Sequence, residues 1–449
     1  MNVEQLRKQA KELVKAARAG DQDALRRLGG RDPILARAQL VLAREHGFAS
    51  WAALVVAAEA NADAFVLAAT DGRRERAEAM LESRPEIERD PWARLVLGRD
   101  WRGDPNEPGG PREWSPLLYA CHSIFAPREL VRDLLGRGAD PNRRFPTPWG
   151  ETTALYGAAG VVHDVELTRL LLEAGADPDD GESVYHSVEA ETADCLRLLL
   201  ENGAETRGTN VLPHALDFDR IEPLRLLLEH GADPNEIASI AAAVRRGRGP
   251  EFVRILAEQG ADLERTDEAH RTAFQHAALR GAEDVARTLA ELGASTELPP
   301  VDALVAAFAR GEVRADVLPR ELDADQQSVL IRAAMRGRIE EVVDAFGADY
   351  RGVADGSPEG TLLHHAGWYG NRDATELLLA RGADPVAETT DEYATPAAWA
   401  ALGSSWWRSP GFDYVGVMER LVAAGAMLEP RFLDVAHGPL EEWLAERLD

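Results

Sequence analysis

The stretch Gly-Ala-Asp-Pro-Asn at 138–142, preceded by RELVRDLLGR at 128–137, returns with variations along most of the chain. Its glycine recurs mostly at intervals of 28 to 37 residues, and a segment repeated this often is a structural unit. Leucine and valine at helical spacing predict an amphipathic helix before each glycine, which would cap it in the left-handed conformation. Asp-Pro-Asn then favours a turn. The hallmark glycines are Gly138, Gly175, Gly203, Gly231, Gly260, Gly293, Gly347, Gly382 and Gly425.

A second recurring segment lies upstream of each such helix. It begins with serine or threonine, often continues with proline, and then carries leucine and alanine. A hydroxyl residue caps the start of a helix and proline fits its first turn, so this segment predicts a second helix per repeat. The clearest copies are Ser115–Ala120, Thr153–Ala158, Thr272–Ala277, Thr361–Ala366 and Thr395–Ala400, with weaker copies at Ser183–Val188, Asn210–Ala215 and Ser328–Ala333.

Cap, helix, turn, helix and Gly-Ala-Asp loop together resemble the ankyrin repeat, whose Thr-Pro-Leu-His-x-Ala pattern several copies follow. The resemblance covers residues 60–430 approximately. It implies an all-α solenoid of about ten helix-turn-helix units with helical caps at both ends. The sequence departs from the family in the fourth place of the segment, because the family histidine is kept only at His186 and His364.

The repeat pattern also sets the expected domain boundaries. Residues 1–60 should form a helical leader, since "LAREHGFASWAALV" at 42–55 resembles a segment found before ankyrin arrays in bacterial proteins. Residues 61–295 should form a first half-array, 296–430 an irregular unit with a second half-array, and 431–449 capping helices. In the irregular unit we expect helices at 301–309 and 313–321, and this unit is either a bend or an insertion.

The chain is strongly acidic, with a net charge of −27. Such a charge repels phosphate backbones, so we expect no nucleic-acid partner. It favours a basic protein partner, although the charge also serves solubility alone.

The compartment follows from cysteine usage and hydropathy. Two cysteines and no continuous apolar run at the N-terminus predict a cytoplasmic protein with no membrane association. Arginine replaces lysine after Lys15, which suggests a GC-rich genome and hence an actinomycete-like bacterium.

The sequence lacks the metalloprotease helix, the phosphate loop and the nucleophile elbow, so we expect no metal, no cofactor and no recognised catalytic motif. Candidate binding residues share the fifth place of the capped segment, where they would either line a concave groove or be half-buried and tied to neighbouring backbone. These are Tyr119, His214, His276, Arg332, His365 and Trp399. Trp149 would lie at the tip of a finger at 143–152, either as an interface anchor or folded back on the next repeat.

Two functions follow from these features. The first is a protein-interaction scaffold that binds its partner through the groove and the loop fingers, which is an inference from the fold family. The alternative is a small-molecule binder or enzyme with an aromatic pocket in the C-terminal repeats and His364 or His365 as the polar or acid–base group. That pocket would be formed by Trp368, Trp399, Trp406 and Trp407, of which one of the last two should be exposed or cover a groove.

Overall fold

The computed structural model describes residues 3–29, 33, 35–147, 150–354, 356–390, 392–406 and 412–448. Helix makes up 58% of the structure and strand 3%, so the expected all-α class is confirmed. The chain divides into two compact units. Unit 1 comprises residues 1–12 and 39–270, and unit 2 comprises residues 13–38 and 271–449.

The helices are short and most come in pairs, one pair per repeat. The N-terminal helices are α1 Val3–Arg18, α2 Gln22–Arg27, α3 Leu35–Glu45 and α4 Trp51–Glu59. The helices from there to residue 270 are α5 Ala62–Thr70, α6 Arg74–Ser83, α7 Pro91–Val96, α8 Pro116–His122, α9 Arg128–Gly136, α10 Ala154–Tyr156, α11 Val165–Glu173, α12 Ser183–Ser187, α13 Asp194–Glu201, α14 Val211–Ala215, α15 Ile221–Glu229, α16 Ser239–Arg245 and α17 Pro250–Glu258. Those after residue 270 are α18 Ala273–Arg280, α19 Glu283–Glu291, α20 Pro300–Arg310, α21 Ala324–Ala333, α22 Ile339–Phe346, α23 Leu362–Trp368, α24 Arg372–Ala380, α25 Pro396–Trp406, α26 Tyr414–Ala423 and α27 Pro439–Ala445.

Short 3-10 and π turns join some of these helices. The 3-10 turns are Pro85–Arg89, Gly110–Arg112, Ala315–Val317 and Pro430–Asp434, and the π turns are Gly157–Val161 and Ala334–Arg338. Two antiparallel hairpins complete the structure. They are β1 Phe145–Thr147 with β2 Gly150–Thr152, and β3 Arg351–Gly352 with β4 Gly360–Thr361.

Most repeats end as the glycine pattern predicts, whereas Gly347, at ψ 158°, is not in the left-handed helical conformation. At the end of α9, the amide of Ala139 donates to the carbonyl of Leu134 (2.9 Å) and that of Gly138 to Leu135 (3.0 Å), which satisfies helix carbonyls that lack a partner. Gly138 has φ +89°, a conformation that side chains resist. All nine hallmark glycines have φ between +84° and +109°.

The asparagine after Asp-Pro joins one repeat to the next. The side-chain amide of Asn142 donates to the carbonyl of Gly175 (2.8 Å), and its oxygen accepts from the amide of Asp177 (2.7 Å). Asn106 and Asn235 make the same two bonds to the loops that follow them. The hallmark loop is therefore both a helix stop and a link between repeats.

Helix starts follow the hydroxyl pattern at the clear copies only. Ser115, Thr153, Thr272 and Thr361 each accept a hydrogen bond from the third helical residue. Ser328 lies inside α21, which Asp323 caps instead. The prediction that a helix starts at Ser328, in the weak copy Ser328–Ala333, is therefore wrong.

One of the two helices predicted for the irregular unit is also wrong. The sequence predicted helices at 301–309 and 313–321. The first is α20, whereas the second is only the 3-10 turn at Ala315–Val317. Leu318 precedes proline and is extended at ψ 144°, because proline disfavours the helical conformation of the residue before it.

Leu6, Ala43 and Leu54 form a small core among the N-terminal helices, against which Phe48 and Trp51 pack. Among the described residues no single helix is long and apolar enough to cross a bilayer. Helices α4 and α5 together reach the length and apolar composition of a span, but they meet at a bend of 112°.

Candidate functional site

Aromatic and histidine rings follow one another through the repeats of unit 1. Successive ring centroids lie 4.0 to 6.3 Å apart, which is contact distance for aromatic side chains. We call this row the ring ladder. It consists of Trp101, Trp92, Tyr119, Trp114, His122, Tyr156, His186, Tyr185, His214 and Phe218. Most of these rings come from α7, α8, α10, α12 and α14, the first helices of their repeats.

The middle of the ring ladder, formed by Tyr119, Trp114 and His122, is buried. The hydroxyl of Tyr119 accepts from the amide of Arg112 (2.7 Å) and donates to the carbonyl of Gly109 (3.1 Å). Burial raises the pKa of Tyr119 to about 12. The loop before α8 folds over this tyrosine, and Trp114 at its end is buried. Of the two alternatives for Tyr119, lining a groove or being tied to neighbouring backbone, the structure has the second, since its ring is fully buried and its hydroxyl bonds to backbone.

His122 is the buried step between two repeats. Its Nδ1 donates to the carbonyl of Leu118 (2.9 Å), and its Nε2 lies within hydrogen-bond distance of the hydroxyl of Thr152 (3.0 Å). Burial lowers the pKa of His122 to about 4. A Cβ on Gly157 would overlap the imidazole, so glycine is required where the other segments carry a side chain.

The C-terminal part of the ladder is half-exposed and bordered by carboxylates. Its rings are Tyr156, Tyr185, His186, His214 and Phe218, and its carboxylates are Glu182, Glu189 and Asp217. We call this surface the aromatic–acidic strip. Tyr185 and His214 stack in parallel, with centroids 4.0 Å apart and planes at 3°. The predicted residue His214 therefore belongs to this surface.

Glu189 joins two repeats within the strip. One of its oxygens lies 2.7 Å from Nδ1 of His186 and 3.0 Å from Nε2 of His214. Nδ1 of His214 lies 3.1 Å from Asp217, which also binds Arg246. Partial burial acts to raise the pKa of Glu189, but hydrogen bonds with His214 and His186 outweigh it, so the net pKa is lowered.

Trp399 lies at the centre of a group of rings in unit 2. Trp399 is buried, and its ring contacts those of His364, His365 and Trp368 edge-on, at centroid distances of 5.2, 5.2 and 6.2 Å. Nε2 of His364 donates to the carbonyl of Ala394 (2.8 Å) in the next repeat. Nε2 of His365 donates to that of Gly352 (3.0 Å). Both histidines thus hold backbone in place.

Close helix packing leaves little room between α23 and α25. A Cβ on Gly367 would lie 2.6 Å from the carbonyl oxygen of Pro396, and one on Gly403 would overlap that of Trp368. Trp406, at the end of α25, is 72% exposed, as expected for one member of the pair. Trp407 and Trp149 lie outside the described residues. Of the described rings of the expected pocket, Trp399 is buried, Trp368 is half-buried and Trp406 is exposed.

The two remaining predicted residues lie beside charged clusters in unit 2. His276 is buried with its Nδ1 3.9 Å from Asp325. Arg332 is half-buried and lines an arginine-rich cavity. Among the described residues no group of three or more histidine, cysteine or acidic side chains has the geometry of a metal site.

Sequence reasoning missed most of the strip. Tyr156 and His186 occupy the fourth place of their segments, and Tyr185 occupies the third. The candidate binding residues predicted from the repeat pattern all lie at the fifth place. The available signal was an aromatic or histidine residue in every first helix from α8 to α14. The acidic border of the strip could not be predicted from the sequence, because Glu189 reaches His214 across a repeat boundary.

Comparison with known proteins finds ankyrin repeats in one part of the chain. Residues 155–238 match the family model "Ankyrin repeats (3 copies)". The ankyrin repeat domain of Bcl-3, described as a unique member of the IkappaB family, is 22% identical with a TM-score of 0.37, covering 50% of this chain and 97% of that one. The human ASB11 ankyrin repeat domain is 20% identical with a TM-score of 0.36, covering 53% and 98%. No curated protein matches the sequence.

Proposed function

We propose that the protein is an interaction scaffold that binds a basic protein segment on the aromatic–acidic strip of unit 1. Ankyrin repeats support a role in protein–protein interaction in general. The observation that carries the specific proposal is the arrangement of half-exposed rings beside carboxylates. Tyrosine faces and carboxylates both attract lysine and arginine side chains, and they do so most strongly when partly desolvated.

Two features of the strip support a cationic partner. Arg220 already lies over the ring of Phe218, with its guanidinium 4.8 Å from the centroid, so this surface accepts cations over its rings. A cavity of about 190 Å³ opens beside Tyr185 and is lined by Asp179 and Glu205. A lysine or arginine side chain would fit there with its charge beside the two carboxylates.

The strip is also well placed to act as one rigid surface. Its rings come from consecutive repeats and contact each other, and Glu189 ties two of the repeats together. A surface fixed before binding loses less conformational freedom when the partner arrives.

We extend the proposal to a reducing compartment, the cytoplasm. Cys121 and Cys195 are free and buried in unit 1. Burial raises the pKa of both thiols, that of Cys195 to about 11, so neither is poised for oxidation. Compartment-specific labelling of the protein in its host would test this assignment.

The binding proposal can be tested with fluorescent peptides of equal length that are lysine/arginine-rich, neutral or acidic. We expect the full-length chain to prefer the basic peptide in fluorescence anisotropy. The double variant Tyr185→Ala, Glu189→Gln should bind it at least about tenfold more weakly, because a hydrogen-bonded charge and a ring are lost. Glu201→Gln, an exposed acid on α13, is the charge-matched control and should bind like the parent. Equal binding by the double variant and the parent would refute the strip as the site.

A further inference from the structure

A cavity of about 300 Å³ in unit 2 is lined by five arginines, Arg280, Arg310, Arg332, Arg336 and Arg338. The other described residues that line it are alanine, glycine and valine, so no acidic side chain is among them. Asp325, Glu312 and Glu341, outside the lining, pair with Arg280, Arg310 and Arg338. The five arginines still exceed these three carboxylates, in a chain of net charge −27. We propose that this arginine cavity binds a small phosphate-bearing anion.

The arginines converge from separate helix ends. Arg280 and Arg310 are in the last turns of α18 and α20, and Arg332 is in that of α21. Arg336 and Arg338 follow in the turn before α22. A cation near a helix C-terminus stabilises that helix, which explains one arginine per helix. It does not explain why five of them face one cavity.

Two of the guanidinium groups are fixed by the protein. Arg338 binds Glu341 through two hydrogen bonds (2.6 and 3.0 Å) and donates to the carbonyl of Val313 (2.9 Å). Its guanidinium also lies 4.0 Å from the ring centroid of Phe308. Arg310 forms a two-point pair with Glu312, at 2.8 Å for each bond. Because these two groups already pair with carboxylates, they hold the wall of the cavity in place and leave the main contact with an anion to other lining residues.

Arg336 is the member of the cavity whose charge is open. It is exposed, and it has no ion pair with a carboxylate in the part of the chain that the structure describes. A guanidinium offers a planar set of donors that matches two oxygens of a phosphate. Arg336 is therefore the group expected to gain most from an arriving phosphoryl group.

The size and surroundings of the cavity favour a small ligand over a polymer. A volume of about 300 Å³ is at the lower end of the range for small-molecule sites, roughly 300–1,000 Å³. A chain of charge −27 repels nucleic acids and acidic proteins over their whole length. A small anion meets that repulsion over one site only. The inference concerns unit 2 and does not depend on the strip in unit 1.

Isothermal titration calorimetry of the full-length chain at low salt, with inorganic pyrophosphate and ADP as probes, tests the proposal. We expect one site that binds at least one probe, and the stronger binder tells an inorganic from an organic phosphate. Arg336→Ala should weaken binding at least about tenfold, since a charge-assisted hydrogen-bonding group is lost. The matched control is Arg287→Ala, an exposed arginine on α19 outside the lining, which should leave binding unchanged.

Three results would overturn the proposal. They are no heat of binding with either probe, equal weakening by both variants, and binding of phosphopeptides or anionic vesicles without binding of either small probe. Arg336 is exposed and Arg336→Ala should fold normally, which circular dichroism of the variant would verify.

Discussion

Arg271 and Asp302 form a two-point ion pair inside unit 2, with both hydrogen bonds at 2.8 Å and the Asp302 side chain fully buried. Arg271 also binds Asp323 (2.5 Å), and Gln326 donates to Asp302 (2.7 Å). Hydrogen bonds from Arg271 and Gln326 outweigh the opposing effect of burial, so the pKa of Asp302 is lowered. This cluster fixes the start of α18 against α20 and α21.

Arg271→Ala should therefore destabilise the protein by about 3–5 kcal/mol, because it leaves the buried carboxylate of Asp302 without its cation. Urea unfolding followed by circular dichroism measures the loss. Arg287→Ala, with the same change at an exposed position, should stay within about 0.5 kcal/mol of the parent. A similar small effect of both changes would mean that the cluster does not stabilise unit 2.

Asn142→Ala should cost about 1–2 kcal/mol, because the variant loses both bonds to the next loop, at Gly175 and Asp177. Amide exchange should quicken at Asp177 in particular. Asn202→Ala is the control, since the side-chain amide of Asn202 binds Leu198 of its own helix. Unchanged exchange at Asp177 would show that the asparagine link carries no stability.

The low pKa of His122 predicts a loss of stability in acid. The unfolded chain takes up a proton on this ring near its ordinary pKa of 6.5, whereas the folded chain does so only at about 4. The contribution is complete above pH 6.5 and disappears as the pH falls towards 4, and it amounts to about 3 kcal/mol. Unfolding by urea at several pH values measures it.

His122→Gln is the informative variant for that prediction. It should be less stable at neutral pH, and its stability should fall less steeply than that of the parent between about pH 6.5 and pH 4. Identical slopes for the two proteins would show that His122 does not titrate as its buried position implies.

Truncation of two tryptophans on α25 should have very different effects on stability. Trp399→Ala should cost about 3–5 kcal/mol, because it opens a cavity among His364, His365 and Trp368. Trp406→Ala should change stability by no more than about 0.5 kcal/mol, since its ring is 72% exposed. Thermal unfolding of both variants provides the comparison, and equal losses would contradict the assignment of Trp399 to the core.

The repeat could be predicted from sequence because its signals act over a few residues. The capping hydroxyl of Thr153 reaches the amide of Tyr156 three residues away, and the turn at Gly138 needs a positive φ that glycine supplies by itself. A local preference also explains why the predicted helix at 313–321 is wrong. Leu318 precedes a proline, which disfavours the helical conformation of the residue before it.

The identity of the exposed residues could not be predicted, because it depends on groups from other repeats. Tyr119 and His214 share the fifth place of their segments, yet the 109–112 loop covers the first and the second lies beside Glu189 of the preceding repeat. The five arginines of the cavity likewise come from helix ends up to 58 positions apart, between Arg280 and Arg338. The sequence by itself determined the repeat and its turns through local hydrogen bonds and backbone preferences, whereas only the tertiary structure decided which side chains meet and which face solvent.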